Sequence, residues 1–320
     1  MRAFILAGFD TAPEIMEVPT PRIGPDDVLV RVLASSVNPH DAHVISGAAQ
    51  AYMDYRFPVT LGNDVAGVIE EVGAGVTRFR PGDKVFGVLR ETVAHRGTFA
   101  EYVAVPADAF LVGQPANLSD IDAGTLGLAT VAALACLEAV PVSPGDALLI
   151  NGATGGVGGC AMQVAAAAGA RVVATARPGE EQRRVRDLGA TDVVDWSAGD
   201  VAGRVRELCP DGIDGLIDLV SFDPSAFEVL AAAVLRRGGR AASTLNAAQA
   251  DGRRGLTRTN VVAMAKPEYL DRMAAMSASG ALRAPVKKVY DLEHIDDALA
   301  ALAAGALGKI AIRVAGRSPA

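Results

Sequence analysis

Five glycines, Gly152, Gly155, Gly156, Gly158 and Gly159, follow directly on the apolar run at residues 147–150 and open an alanine-rich stretch reaching residue 168. A cluster of this kind suits one kind of chemistry. The backbone can turn sharply and bring its N–H groups against a pyrophosphate, while the unpaired N–H groups and positive dipole end of the next helix face the anion. Gly152, Ala153, Thr154, Gly155, Gly156 and Val157 are therefore expected to line a dinucleotide. A glycine-rich turn taken alone recurs wherever a strand meets a helix closely. Here a second apolar run, residues 171–176, succeeds it at the spacing of a strand-helix-strand unit. The end of that second strand selects the cofactor, because an acid there accepts hydrogen bonds from the ribose hydroxyls of NAD. The sequence reads Ala174-Thr175-Ala176-Arg177, without a carboxylate, and Arg177 can pair with the 2′-phosphate of NADP. NADPH is thus the expected cofactor, with Thr175 and Arg177 at its adenosine end. A solvated loop role for Arg177 is the competing reading, and Glu180 and Glu181 lie close by.

A second gathering of reactive side chains lies in the irregular stretch 38–63, which holds His40, His43, Tyr52 and Tyr55. Long connections between strands are where sites are commonly built. The three cysteines, Cys136, Cys160 and Cys209, form no CxxC pair and lie near none of the four histidines in sequence. Buried thiols acting as small apolar groups are the expected state, with neither a disulfide framework nor a cysteine zinc site.

The elements that must position these groups fall into two patterns. Residues 1–118 read as strands (1–6, 28–35, 66–72, 84–88, 99–105) separated by Gly and Pro turns, which predicts a small antiparallel barrel-like domain. From residue 118 helices and strands alternate, with Ser119 capping an Ala- and Leu-rich helix and strands at 192–196, 215–220 and 240–245. That alternation predicts an open parallel sheet wound on both sides. A helix at 268–279 follows, then strand, helix and strand at 286–290, 295–304 and 309–314. The 320 residues, half of them hydrophobic, are ample for two domains. A net charge of −7 argues against a general nucleic-acid partner or an acidic membrane surface. No run is read as a membrane span or a secretory signal, so a soluble cytoplasmic protein is expected.

Taken together the chain resembles the medium-chain dehydrogenase/reductase superfamily, in its zinc-independent quinone oxidoreductase (zeta-crystallin-like) branch. The resemblance rests on VLVRVLASSVNPHD (28–41), TLGNDVAGVIEEVGAGVTRFRPGDKVFG (60–87), GTFAEYVAVP (97–106), INGATGGVG (150–158) and GKIAIRV (308–314). It implies an α/β fold: a GroES-like β-barrel catalytic domain over 1–118, completed by 285–320, and a Rossmann NADP-binding domain over 119–284. The active-site cleft would lie at their junction. Zinc enzymes of the superfamily carry Cys where this chain has Asn38, and Gly-His-Glu where it has Gly62-Asn63-Asp64; their four-cysteine lobe is missing after Gly87. No metal is therefore expected.

The resemblance assigns Asn38 to orienting the nicotinamide ribose or substrate, against the alternative that an Asn before Pro39 only shapes a turn. Where the branch usually has tyrosines, His43 and Ala49 stand here, with Tyr52 three residues on. His43 as a proton donor competes with a structural role, Tyr52 can substitute for a missing tyrosine, and Asp41 can be a helix cap or a participant. Thr130 is expected to offer the cofactor a displaced hydroxyl, and Val220, Ser243, Thr244 and Lys309 to lie along the cofactor groove; packing at strand ends is the alternative for Val220 and Ser243. The activity implied is NADPH-dependent reduction of a small quinone or α,β-unsaturated carbonyl substrate by a homodimer. An enoyl-thioester or tailoring reductase, or a non-enzymatic NADPH-binding protein, are the alternatives.

Overall fold

A computed structural model describes residues 1–89, 91–108, 110–249 and 255–314. The chain forms two compact units, one of Met1–Leu128, Ala265–Gly280 and Ala284–Ala320, the other of Ala129–Met264 and Ala281–Arg283. The division thus falls inside a helix rather than at residue 118. Residues 265–280 group with the N-terminal unit instead of the parallel-sheet domain, where Asn117 Nδ2 donates to the carbonyls of Ser277 and Ala278 at 3.3 and 3.2 Å.

The first unit opens with β1 (Arg2–Leu6), β2 (Glu14–Glu17), β3 (Asp27–Val37), α1 (Pro39–Ile45), β4 (Asp54–Tyr55), β5 (Val59–Thr60), β6 (Asp64–Val72), β7 (Lys84–Val88), β8 (Val93–Ala94), β9 (Tyr102–Pro106) and β10 (Leu111–Gly113). The valine-rich β3 is its axis, flanked by β6 with Val30 opposite Ile69 and Ala34 opposite Ala66. It also pairs with β9. Phe4, Val28, Val30, Phe99 and Leu111 are wholly buried around it. Strand β9 is shorter than its sequence suggests. Phe99 and Ala100 instead tie to β1, through Phe4 N–H donating to the Phe99 carbonyl at 2.8 Å and an Ala3–Ala100 bridge.

Helix α2 (Asp120–Ala139) carries the boundary between the units. Ser119 Oγ accepts the Asp122 N–H at 3.1 Å, as the cap reading requires. Contrary to that reading of apolar runs, α2 is long and apolar enough to cross a membrane by length and composition, but 72% of its apolar window is buried within the protein. Its small residues explain the burial: a Cβ on Gly124 would stand 2.7 Å from the Ala34 carbonyl carbon.

The second unit contains β11 (Ala147–Asn151), α3 (Gly156–Ala167), β12 (Arg171–Thr175), α4 (Glu180–Asp187), β13 (Asp192–Val194), α5 (Val201–Leu208), β14 (Ile213–Asp218), α6 (Pro224–Val234), β15 (Leu235–Ser243) and β16 (Thr257–Asn260). All six strands are parallel, in the order β13-β12-β11-β14-β15-β16. Their apolar runs read as continuous rather than alternating because helices cover both faces. The order reverses between β11 and β14, and in such sheets ligands bind outside the carboxyl ends of the strands at that point.

The chain then returns to the first unit through α7 (Pro267–Ala278), β17 (Val286–Asp291), α8 (Ile295–Ala303) and β18 (Lys309–Arg313). Strand β18 lies antiparallel on β3, with Ile310 opposite Val37, and extends the main sheet. Within residues 1–118 the expected antiparallel pattern breaks at β4 and β8, which pair in parallel; β17 and β18 are also parallel, because α8 provides the crossover such a pair needs.

Candidate active site

In the parallel-sheet unit the glycine turn sits at the carboxyl end of β11, beside the switch point. Gly152 takes the sharp bend at φ +89°, a conformation that favours glycine, and its N–H donates to Thr175 Oγ1 at 3.0 Å. Ala153 is wholly buried, so the alanine at this position is accommodated by packing. A Cβ on Gly158 would stand 2.4 Å from the Gly152 carbonyl oxygen, which is why α3 can start so close to the turn. Gly155 precedes α3 in extended conformation and no side chain caps the helix. Its leading N–H groups, from Gly156 and Val157 on, are thereby directed at whatever lies beyond the turn. Thr154 stands half-buried within it. These residues suit a pyrophosphate: glycine backbone where a side chain would obstruct, and donors without an acid among them.

The corner after β12 corrects the expectation of a strand end without a carboxylate. The first turn of α4 brings Glu181 there, where its oxygens accept Arg177 Nε at 2.7 Å, the Arg177 backbone N–H at 2.7 Å and Trp196 Nε1 at 3.3 Å. Arg177 is exposed but paired, neither a free phosphate ligand nor a merely solvated loop residue. Burial pushes the Glu181 carboxyl up, yet the hydrogen bonds from Arg177 and Trp196 prevail and hold it below its ordinary range.

Elsewhere in this unit Asp218 closes β14, wholly buried, and accepts from Val220 N–H (2.9 Å), Ser221 N–H (3.1 Å), Ser221 Oγ (2.7 Å) and Asn151 Nδ2 (3.2 Å). It thereby shapes the loop that carries Val220. Val220 is 52% exposed, so plain packing at a strand end does not describe it, and it leans on Gly152, where an added Cβ would meet Val220 Cγ2 at 2.9 Å. Ser243 is buried and accepts the Leu245 N–H at 3.0 Å, with Thr244 half-buried beside it. Thr130 departs from expectation. Its hydroxyl is buried and donates to Cys160 Sγ at 3.6 Å, because a buried hydroxyl requires a partner. All three cysteines are buried thiols outside any disulfide, and burial pushes the Cys136 thiol up to about 12.

In the first unit Asn38 stands as N-cap of α1, ahead of Pro39 at the first helical position. Its backbone N–H donates to Asp41 Oδ2 at 2.7 Å, so Asp41 is a cap. The Asn38 carboxamide is turned elsewhere: Nδ2 donates to the Ser36 carbonyl (3.1 Å) and Asp64 Oδ2 (2.9 Å), while Oδ1 accepts from Lys309 Nζ at 2.5 Å. Lys309 Nζ also reaches Asp64 Oδ2 at 3.1 Å and the Val37 carbonyl at 3.3 Å. Asp64 further accepts from Ser36 Oγ and, at 2.5 Å, from the Leu128 N–H. Lys309 therefore belongs to a buried polar cluster around Asn38, 4% exposed, rather than to an open groove. Asp41 lies within reach of the same charges; burial foremost, with Asp64 adding, pushes its carboxyl up to about 7 against the Asn38 N–H, Lys309 and the Gly62 N–H.

The other sequence candidates stand apart from this cluster. His43 is exposed, two residues past Asp41 on α1 and so on the opposite helix face. Tyr52 is 51% exposed and its hydroxyl pairs with His40 Nδ1 at 3.2 Å, so two of the side chains gathered in the 38–63 stretch do meet. A small hollow open to solvent lies beside α1, lined by His40, Asp41, Val44, Met53, Asn63 and Leu89 among others. Asn63 Nδ2 donates to the Leu89 carbonyl at 2.7 Å. Among the described residues no three His, Cys, Asp or Glu side chains are grouped to hold a metal ion.

Comparison with known proteins accords with this geometry. The model of the alcohol dehydrogenase GroES-like domain matches residues 24–116, and that of the zinc-binding dehydrogenase family matches residues 156–251. A quinone oxidoreductase of Lama guanicoe is 30% identical over 98% of this chain and 97% of its own length. A 2-methylene-furan-3-one reductase of Solanum lycopersicum is 30% identical over 92% of this chain and 74% of its own. The match to quinone oxidoreductase of Sus scrofa, at 35% identity, covers 65% of this chain and spans 63% of that relative's length. Among solved structures, the quinone oxidoreductase from Coxiella burnetii superposes with a TM-score of 0.85 at 25% identity, over 98% of this chain and 99% of that one. The chain belongs to the medium-chain dehydrogenase/reductase superfamily, a family of nicotinamide-dependent oxidoreductases, in its quinone oxidoreductase branch.

Proposed function

We propose that this protein is an NADPH-dependent reductase of quinones or α,β-unsaturated carbonyl compounds that works without zinc. The observation that carries the reading is the uncapped start of α3 behind a glycine turn at the switch point of a six-stranded parallel sheet. When bound there, the nicotinamide cofactor supplies a hydride. The substrate class is taken from the names of the relatives, a quinone oxidoreductase and a 2-methylene-furan-3-one reductase.

The chain's own part is orientation. Asn38 is fixed on both edges of its carboxamide by Lys309 and Asp64, so it presents a rigid polar group at low entropic cost. Asn is a poor zinc ligand beside Cys and His, and the Asp64 carboxylate is already engaged by Ser36, Asn38, Lys309 and Leu128. The side chains gathered here therefore favour hydrogen bonding over metal coordination.

The test is NADPH oxidation against a benzoquinone, a naphthoquinone, a short enone and a crotonyl thioester, each repeated with NADH and with a chelator. Chelator-insensitive turnover of a quinone or enone, faster with NADPH, is expected. Asn38→Ala should cut that turnover at least tenfold with cofactor affinity retained, whereas unchanged turnover removes Asn38 from the mechanism. Turnover of the thioester alone would redirect the reading to an enoyl-thioester reductase, and NADPH binding without any turnover to a non-enzymatic binder.

A further inference from the structure

Glu181 is misplaced for an acid that recognises NAD. A carboxylate that accepts ribose hydroxyls must face the ligand, but the Glu181 side chain is 6% exposed and its oxygens already take three hydrogen bonds and an Arg177–Glu181 contact at 2.6 Å. What faces solvent above it is Arg177, 55% exposed at the side chain, and Trp196, 46% exposed, with the guanidinium carbon 5.3 Å from the indole centroid. The corner is built from the bottom up: a buried anion, a cation fastened to it, and an aromatic face beside that cation.

We propose that Arg177, Glu181 and Trp196 act as one clamp that reads the adenosine 2′ position, with Glu181 the residue that sets how strongly a 2′-phosphate is preferred. The proposal rests on the dinucleotide reading above. Arg177 attracts a 2′-phosphate, which brings close to two negative charges, and Glu181 partly cancels that attraction while preventing the guanidinium from reorienting freely. The clamp thus admits both cofactor forms, with the phosphorylated one ahead by a margin that Glu181 holds down. Replacing one unit charge at this range should move the margin about tenfold.

The full chain can be titrated with 2′,5′-ADP and with 5′-AMP, two fragments that differ only in the 2′-phosphate, by calorimetry and by emission of Trp196, the sole tryptophan in the sequence. Wild type should bind 2′,5′-ADP more tightly, with the Trp196 emission responding to it and little to 5′-AMP. In Glu181→Gln, which keeps the shape and one acceptor, the preference for 2′,5′-ADP should rise about tenfold. In Arg177→Gln it should fall to near one while 5′-AMP affinity is kept. A preference that is unmoved or lowered in Glu181→Gln overturns the proposal and leaves the dinucleotide reading standing. Failure of wild type to bind either fragment overturns both. Should Glu181→Gln not fold, the outcome in Arg177→Gln, whose side chain is exposed, decides: an unchanged preference overturns the clamp.

Discussion

Asp41 sits where two demands on one carboxylate collide. It must accept the Asn38 N–H that starts α1, yet it is wholly buried beside Asp64, and its carboxyl is pushed up to about 7. Between its ordinary value near 4 and that level the folded protein holds a proton that the unfolded chain releases. Its contribution to stability is therefore complete below about pH 4 and is lost as pH rises to about 7. Asp41→Asn keeps an acceptor for the N–H and removes the titration. Chemical denaturation at pH 5 and pH 8 should show wild type losing stability relative to the variant across that interval, and equal slopes for the two would contradict the assignment. The residues of the site were unevenly legible. Asn38 and Lys309 were visible because they lie in motifs of their own. Asp64 appeared only as a replaced metal ligand, and its hold on a lysine 245 positions away in sequence has no local signature. Glu181 was seen as a neighbour of Arg177, but that a helical turn would fold it under the guanidinium depends on where α4 starts, which sequence fixes poorly.

At the scale of elements, the strand-turn-helix at the centre of the second unit was legible almost to the residue, because apolar run, glycine cluster and alanine-rich helix agree with one another. Its glycines differ in what they do. An alanine at 158 would drive Cβ to 2.4 Å from the Gly152 carbonyl and 2.7 Å from the Ala153 Cα, so Gly158→Ala should destabilise by about 1–3 kcal/mol. An alanine at 155 meets nothing closer than 3.6 Å and should leave thermal stability within about 0.5 kcal/mol of wild type while weakening nucleotide binding, since the added methyl group intrudes where the phosphates approach. Thermal melts with and without NADPH separate the two effects. A Gly155→Ala variant that binds NADPH as wild type does would place the anion elsewhere. Less legible were α2, whose apolar length is absorbed by packing, and the parallel pairing of β17 with β18, which depends on a crossover rather than on either strand's pattern.

For the whole molecule, the first unit is assembled from both ends of the chain. Lys309 at the head of β18 meets Asn38 across 271 positions, and its ammonium is the cation beside Asp64, which is wholly buried. Removing it as Lys309→Met should cost about 3–5 kcal/mol, because a buried carboxylate is left without its counter-charge. The double variant Lys309→Met/Asp64→Asn should recover a large part of that loss in urea denaturation, and additive losses would mean that the two charges are not coupled. The sequence showed that the last forty residues return to strand, helix and strand. That they complete the first domain came from the family resemblance; the register of β18 on β3 did not, because pairing between distant segments leaves no periodic trace in either.

That arrangement has a consequence in time. A chain leaving the ribosome presents all six strands of the parallel sheet before β18 exists, and only then can β3, among the earliest segments made, receive its last partner. Until synthesis reaches residue 309, Asp64 and Asn38 wait without the ammonium that joins them, and the Ala34–Val37 end of β3, beyond the reach of β9, stays open to any passing strand. The part of the protein made first is the part finished last.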